Sequence, residues 1–111
     1  MKKMEFLKLM QFPSAWETLG MYPDELFEAQ VSRYEPGHEA ASEHDRNGAF
    51  HWWLRQSPSR EQLETLLRLA ILDPDPLLGT DARVHIHKAA AFDDSLAALE
   101  LELLRQANKH S

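Results

Sequence analysis

The residues with the greatest capacity for chemistry lie in the segment SEHDRNGAFHWWLRQ, at positions 42–56. His44 and His51 are seven residues apart, so on a helix of 3.6 residues per turn they share one face. Imidazole and carboxylate groups bind zinc or iron, which makes a metal-dependent enzyme one interpretation of this segment. Helical metal signatures place their ligands three or four residues apart, and no two histidines in the chain have that spacing. We therefore predict no metal site and no cofactor.

General acid–base catalysis is the second kind of chemistry that this segment could support. His44 and Asp45 are adjacent, and histidine is the usual proton carrier near neutral pH. Neighbouring residues on a helix point about 100° apart, however, so these two side chains do not form a catalytic dyad by themselves. The chain also has no cysteine and no Gly-x-Ser-x-Gly motif to supply a nucleophile. We predict that the protein is not an enzyme.

The charge balance of the chain favours a basic protein partner. The formal net charge is −6, from 12 basic and 18 acidic residues, which argues against binding to the phosphate backbone of nucleic acids. Between Glu17 and Asp45 there are eight acidic residues and a single basic one, Arg33. This acidic stretch is either a solvated face or a source of negative potential that steers a basic partner.

The N-terminal segment MKKMEFLKLMQF superficially resembles a signal peptide. Glu5 and Lys8 interrupt its apolar run, and no small-residue cleavage site precedes Pro13. No apolar stretch approaches the ~20 residues that a helix needs to cross a bilayer. We expect a cytoplasmic protein that does not interact with membranes.

Length and turn signals predict a small helical protein. A chain of 111 residues is long enough for one domain, which we assign to residues 1–111. The segment from Arg83 to His87 alternates like a strand, but no second strand pattern could pair with it, so a helix is favoured. The fold class predicted is all-α, as a single-domain bundle or an orthogonal array of about six short helices.

Several helix starts and buried faces follow from local patterns. Capping residues are predicted at Ser14 with Glu17, at Ser59 with Gln62, at Asp75 before Pro76, and at Asp93 or Asp94 behind a Phe92 staple. The central helix begins between His38 and Ser42. The predicted buried faces consist of apolar residues at helical spacing: Phe6, Leu9, Met10; Phe27, Val31, Tyr34; Leu63, Leu66, Leu67, Ala70, Ile71; Leu78, Ala82, Ile86, Ala90; and Leu96, Leu99, Leu103.

The second half of the central helix raises two further expectations. Trp52 and Trp53 cannot both point inward from one helix, so we expect one to belong to the core. The other is then half-exposed or packed against a neighbouring helix, or else it is an aromatic anchor for a partner. Gly48 costs a helix about 1 kcal/mol relative to alanine. That cost is tolerable if another backbone or a ligand approaches closely at this position.

The chain resembles the small all-helical immunity proteins of bacterial toxin systems. The resemblance rests on its length, its acidic balance and the segment SEHDRNGAFHWWLRQSPSREQLETLLRLAILDPDPLLGTDAR. It implies a protein that binds a cognate toxin and blocks its active site or its substrate path. Many such toxins are basic nucleases, which would suit an acidic partner.

Our leading hypothesis is a non-enzymatic module that neutralises a toxin through an acidic face, with Arg46 and one exposed tryptophan supplying specificity. The predicted partner-binding residues are Asp24, Glu25, Glu28, Glu39, Glu43, His44, Asp45, Arg46 and Trp53. A self-associating structural or regulatory domain that forms a homodimer is the alternative hypothesis. A metal-dependent enzyme using His44 and His51 is the third.

Overall fold

The computed structural model describes residues 1–34, 37 and 42–109. The regular secondary structure of these residues consists of helices. Within those residues there are seven helices and no strand, so the predicted all-α class is confirmed. The helices are α1 Lys3–Leu9, α2 Ser14–Leu19, α3 Asp24–Arg33, α4 Ser42–Arg55, α5 Arg60–Leu72, α6 Pro76–Ala89 and α7 Asp94–Lys109. None of these helices is long and apolar enough to span a membrane.

The contacts along the chain divide it into two units, Met1–Trp52 and Trp53–Ser111. The boundary falls inside α4, between its two adjacent tryptophans. The prediction of one domain over residues 1–111 stays open under this division.

The core of the first unit is built from aromatic rings. The Trp16 ring packs edge-to-face against Phe12 and Phe50, with ring centroids 5.7 and 5.4 Å apart. Phe6 packs in the same way against Phe27, at 5.5 Å. Edge-to-face contacts place the positive edge of one ring on the negative face of another, which adds to the stabilisation from burying the rings. This cluster connects α1, α2, α3 and α4.

Two local predictions for the first unit are wrong, one for a helix start and one for a core residue. Ser14 is the first residue of α2 rather than its N-cap, so the predicted capping box with Glu17 does not form. In α1, Leu7 is buried and the predicted core residue Leu9 is 39% exposed.

After α1, Gln11 takes a left-handed backbone conformation with φ of 60°. The chain thereby turns back towards α2 without the glycine that usually occupies this position.

The second unit has an aliphatic core, in which α5 packs against both α6 and α7. The start of α5 is fixed by the predicted capping box, because Ser59 and Gln62 each bond the other's backbone N–H, at 3.2 and 2.8 Å. Five α5 residues are buried: Leu63, Leu66, Leu67, Leu69 and Ala70. Leu69 replaces the predicted Ile71, which is only partly buried. The buried face of α5 therefore includes Leu69, on the side of the helix that the spacing did not indicate.

A glycine allows α5 and α6 to approach closely. A Cβ atom at Gly79 would lie 2.5 Å from the carbonyl oxygen of Ala70, far inside normal contact distance. The condition under which the sequence would tolerate Gly48, a close approach by another backbone, is not met, because no described atom outside its own helix backbone lies within 4 Å of a Cβ built there. The predicted N-cap of α6 is confirmed, since Asp75 Oδ1 accepts a hydrogen bond from the N–H of Leu77, at 3.0 Å.

The connection between α6 and α7 is a tight turn made without glycine. Ala91 and Phe92 have φ values of 55° and 57°, and the N–H of Phe92 donates to the carbonyl of His87 at 2.7 Å. The predicted Phe92 staple is wrong, because this side chain is 68% exposed. The predicted Asp93 cap is confirmed, because its Oδ1 accepts from the N–H of Leu96 at 3.1 Å.

Candidate functional site

The start of α4 carries two charged residues that the structure buries. Asp45 is 6% exposed and Arg46 is 3% exposed, although both were predicted to face a partner. The reason is their phase on the helix: Asp45 lies one turn before Ala49, and Arg46 one turn before Phe50, and both of these apolar residues are in the core. The expectation that these two side chains form part of an exposed surface is therefore corrected.

The guanidinium of Arg46 is directed back along α4. Its Nη1 donates a hydrogen bond to Ser42 Oγ at 2.7 Å, one helical turn earlier. Arginine remains protonated at all relevant pH values, so this bond holds a permanent positive charge inside the first turn of the helix. The charge lies at the helix end where the backbone dipole is positive, which makes the position unfavourable by itself.

The described residues do not supply the Asp45 carboxylate with all the hydrogen bonds that water would provide. Its Oδ2 is buried and has no hydrogen-bond partner among the described residues. Burial raises the pKa of Asp45, the positive charge of His44 opposes that rise, and the negative charge of Glu43 adds to it. A charged carboxylate at this position is therefore less favourable than one in water.

Tyr22 approaches the same carboxylate from the segment that joins α2 to α3. Its ring lies in the aromatic cluster, with its centroid 5.1 Å from that of Phe12. Burial raises the pKa of the Tyr22 hydroxyl, and the negative charge of Asp45 raises it further. The phenol is therefore neutral at physiological pH, and it brings a polar group to the aromatic cluster without a second charge.

Five of the predicted partner-binding residues are exposed in the first unit: Asp24, Glu25, Glu28, Glu43 and His44. Asp24 forms an ion pair with Lys3, whose Nζ lies 2.8 Å from Asp24 Oδ1. Asp24 and Glu25 occupy the first turn of α3 and Glu43 the first turn of α4, where negative charge is favourable to the helix dipole. Glu39 lies outside the described residues.

The tryptophans and the second histidine of α4 have intermediate exposure. Trp52 and Trp53 are both partly buried, so neither is a core residue and neither is a fully exposed anchor. The prediction that one belongs to the core is wrong for this reason. His51 is also partly buried, whereas His44 is exposed.

Sequence reasoning missed a polar cluster in the second unit that joins α6 to α7. A hydrogen bond connects His87 Nε2 to Glu100 Oε2, and Arg83 Nη1 lies 3.8 Å from the other oxygen, Oε1. The three side chains are only partly exposed. The spacing of four between Arg83 and His87 was a readable signal that they share a face. Their acidic partner comes from another helix and had no local signal.

A second polar cluster fixes the start of α7 to that of α5. Arg60 Nη1 lies 2.9 Å from Asp93 Oδ2, and Arg60 Nη2 donates to Ser95 Oγ at 2.8 Å. Hydrogen bonds from Ser95, from Arg60 and from the backbone of Leu96 hold the pKa of Asp93 well below its usual range. This carboxylate is therefore ionised and paired, in contrast to that of Asp45.

No family model, curated protein or solved structure matches this chain. The assignment of function consequently rests on its own residues.

Proposed function

We propose that this protein is a non-enzymatic binding module that neutralises a basic bacterial toxin by binding to it. The observation that carries the proposal is the exposure of Asp24, Glu25 and Glu28 on α3, together with Glu43 at the start of α4. These acids belong to a stretch that contains eight acidic residues and one basic residue between positions 17 and 45. The general resemblance to helical immunity proteins supports the same assignment.

The physical basis of the proposal is electrostatic steering. A patch of one charge sign raises the rate at which an oppositely charged partner arrives in the correct orientation, and complementary charges suppress binding to wrong partners. Exposed carboxylates on short side chains are suited to this role because they keep their water until the partner arrives. We assign the contact surface to Glu25, Glu28 and Glu43, with Asp24 and His44 at its edge.

Asp45 and Arg46 have a different role in this proposal. Both are buried, so a partner could reach them only if α4 moved away from the aromatic cluster. We assign them to holding the first turns of α4 in place, and Glu43 and His44, next to them in sequence, to the surface. Specificity then depends on the exposed residues rather than on Arg46.

The test is binding and inhibition of the toxin domain encoded next to the gene for this chain. The purified chain is expected to form a complex with that domain and to abolish its toxicity. A triple variant, Glu25→Gln with Glu28→Gln and Glu43→Gln, is expected to slow association roughly tenfold and to weaken its dependence on salt.

A matched control removes three exposed acids from first turns elsewhere in the chain. Glu5→Gln, Glu61→Gln and Asp94→Asn change the net charge by the same amount and lie in the first turns of α1, α5 and α7. This control triple should associate at nearly the parent rate. The proposal is rejected if no neighbouring toxin is bound or inhibited, and the assigned surface is rejected if both triples slow association equally.

Self-association is a second candidate, favoured by exposed apolar residues on α6. Leu77 and Val84 are seven residues apart on this helix, so they share a face, and both are exposed. Light scattering over a range of concentrations tests this alternative. A mass equal to one chain at the highest concentration eliminates it, whereas a dimer that Leu77→Ser with Val84→Ser dissociates would establish it.

A further inference from the structure

The start of α4 contains a buried acid, one of whose oxygens has no hydrogen-bond partner in the described part of the chain. Asp45 is more than nine-tenths buried, and its Oδ2 lacks a donor among the described residues. Transfer of an ionised carboxylate out of water is costly unless donors replace the lost solvent, and the cost is much smaller for the protonated acid. The two protonation states of this side chain thus differ in how well the fold accommodates them.

We infer that Asp45 takes up a proton as the pH falls while the protein remains folded, and that the start of α4 is an acid-responsive element. This inference goes beyond the proposed function and does not depend on it. Proton uptake would remove a buried negative charge from the helix that carries Glu43 and His44. It would thereby stabilise the packing of α4 against the aromatic cluster.

Two charged neighbours on α4 act on Asp45 in opposite directions. On α4, Glu43 favours protonation and the exposed His44 opposes it, while the guanidinium of Arg46 is bonded to Ser42 one turn away. Adjacent helix residues point about 100° apart, which is why the positive charge next in sequence does not neutralise Asp45.

Among the described residues, the side chains that reach this part of α4 from other elements add no positive charge. Tyr22, from the α2–α3 connection, stays neutral, because burial and the negative charge of Asp45 both disfavour its deprotonated form. On α2, Trp16 contacts Phe50 and is followed by Glu17, whose Oε1 is also buried without a partner among the described residues.

The sign of the effect on stability follows from burial. Burial, the main cause, makes the pKa of Asp45 higher in the folded chain than in the unfolded one. The folded state then holds a proton that the unfolded state has released, so stability falls as the pH rises through the range above about 3.9, the ordinary value for aspartate. This is the reverse of the usual behaviour of carboxylates, which stabilise folded proteins when they are ionised.

The direct test is a carboxyl carbon NMR titration of the full chain, following the Cγ resonance of Asp45. The same resonance in the urea-unfolded chain is the control, because it belongs to the same residue in the same sequence. We expect the folded midpoint to lie at a higher pH than the unfolded midpoint. Equal midpoints, or a lower one in the folded chain, would overturn the inference.

A stability measurement provides an independent readout. The folding equilibrium constant of Asp45→Asn, divided by that of the parent chain, should increase between about pH 4 and about pH 7, because asparagine has the polarity of the neutral acid and cannot ionise. Glu5→Gln, an exposed acid on α1 of the same unit that is not among the charges acting on Asp45, is the matched control and should lack this increase. A ratio for Asp45→Asn that is constant or falls with pH contradicts the inference.

Discussion

Asp45 in the first unit and Asp93 in the second lie near helix starts, but their surroundings change their acidity in opposite directions. Asp93 accepts a hydrogen bond from the Ser95 hydroxyl at 2.5 Å, pairs with Arg60 and accepts from the N–H of Leu96 at 3.1 Å, which together lower its pKa. Asp45 is buried with an unpartnered oxygen, which raises its pKa. Ionised Asp93 therefore stabilises the second unit, whereas ionised Asp45 destabilises the first.

The two cores differ in a related way. The first unit relies on aromatic rings such as Trp16 and Phe50, and its charged residues Asp45 and Arg46 are buried in the same unit. The second unit relies on the leucines of α5, and its charged clusters stay at the half-exposed ends and edges of helices. Solvent access rather than residue type decides whether a charge there is favourable.

The largest expected effect is the loss of a central ring in the first unit. Trp16→Ala should lower the free energy of unfolding by about 3–5 kcal/mol, because a buried indole leaves a cavity that the rings around it cannot close. Leu66→Ala, at a fully buried position of the second unit, should cost about 2–5 kcal/mol. Urea unfolding of each unit, followed by NMR, gives the comparison. If Trp16→Ala leaves the first unit's stability unchanged, the aromatic cluster is not its core.

The second prediction contrasts two helical glycines. Gly79→Ala should destabilise the second unit by about 1–3 kcal/mol, because its Cβ would press on the Ala70 carbonyl oxygen and force α5 and α6 apart. Gly48→Ala should instead stabilise α4 by about 1 kcal/mol, since alanine is the better helix former and the position is open. Thermal unfolding measures both. The same sign for the two substitutions would contradict the close approach at Gly79.

The third prediction concerns the turn between α6 and α7. Ala91→Gly should stabilise the protein by up to about 1 kcal/mol, because the left-handed conformation strains alanine and not glycine, while the extra freedom of glycine in the unfolded chain offsets part of the gain. Ala89→Gly, two residues earlier in the regular helix, should destabilise by up to about 1 kcal/mol. Denaturant melts of the two variants distinguish strain at position 91 from a general response to glycine.

The smallest expected effect sharpens the contrast between the two aspartates. Asp93 has a lowered pKa, so its ionised form contributes stability above about pH 3.9, the unfolded value, and this contribution is lost as the pH falls through the folded value. Asp93→Asn should therefore reduce stability near neutral pH and progressively less in acid, the reverse of the trend expected for Asp45. The loss should be small and should decrease in high salt, because Arg60 and Asp93 are both partly in contact with water.

Urea unfolding at neutral and acidic pH, in low and high salt, tests this prediction. Asp94→Asn is the control, because Asp94 is exposed in the same first turn and lies next to Asp93 in the sequence. If the stability changes caused by Asp93→Asn and Asp45→Asn vary with pH in the same direction, the proposed difference between the two aspartates is wrong.

Local signals predicted the helices and several of their starts correctly. The capping box of Ser59 and Gln62 and the caps at Asp75 and Asp93 depend on residues within three positions of each other, so spacing alone identifies them. The same holds for the helical character of α6, whose apolar residues recur every four positions. The box at Ser14 failed because Pro13 takes the N-cap position of α2.

Helix ends without glycine could not be read from local signals. Gln11, Ser57, Ala91 and Phe92 adopt left-handed conformations that their residue types rarely take. Backbone hydrogen bonds to the preceding helix close two of these turns, from the N–H of Phe12 to the carbonyl of Leu7 and from that of Phe92 to His87. The sequence marks such a turn only when a glycine occupies it, as at Gly20, which follows α2 with φ of 61°.

At the charged start of α4, some properties follow from the sequence alone and others only from tertiary contacts. Composition and spacing established a helical protein with an acidic stretch around this helix, because helix propensity and charge are properties of nearby residues. Which side of α4 faces the aromatic cluster depends on contacts with Trp16 and Tyr22, which are distant along the chain. That choice buried Asp45 and Arg46, which lie one turn before the buried Ala49 and Phe50, and left Glu43 and His44 exposed.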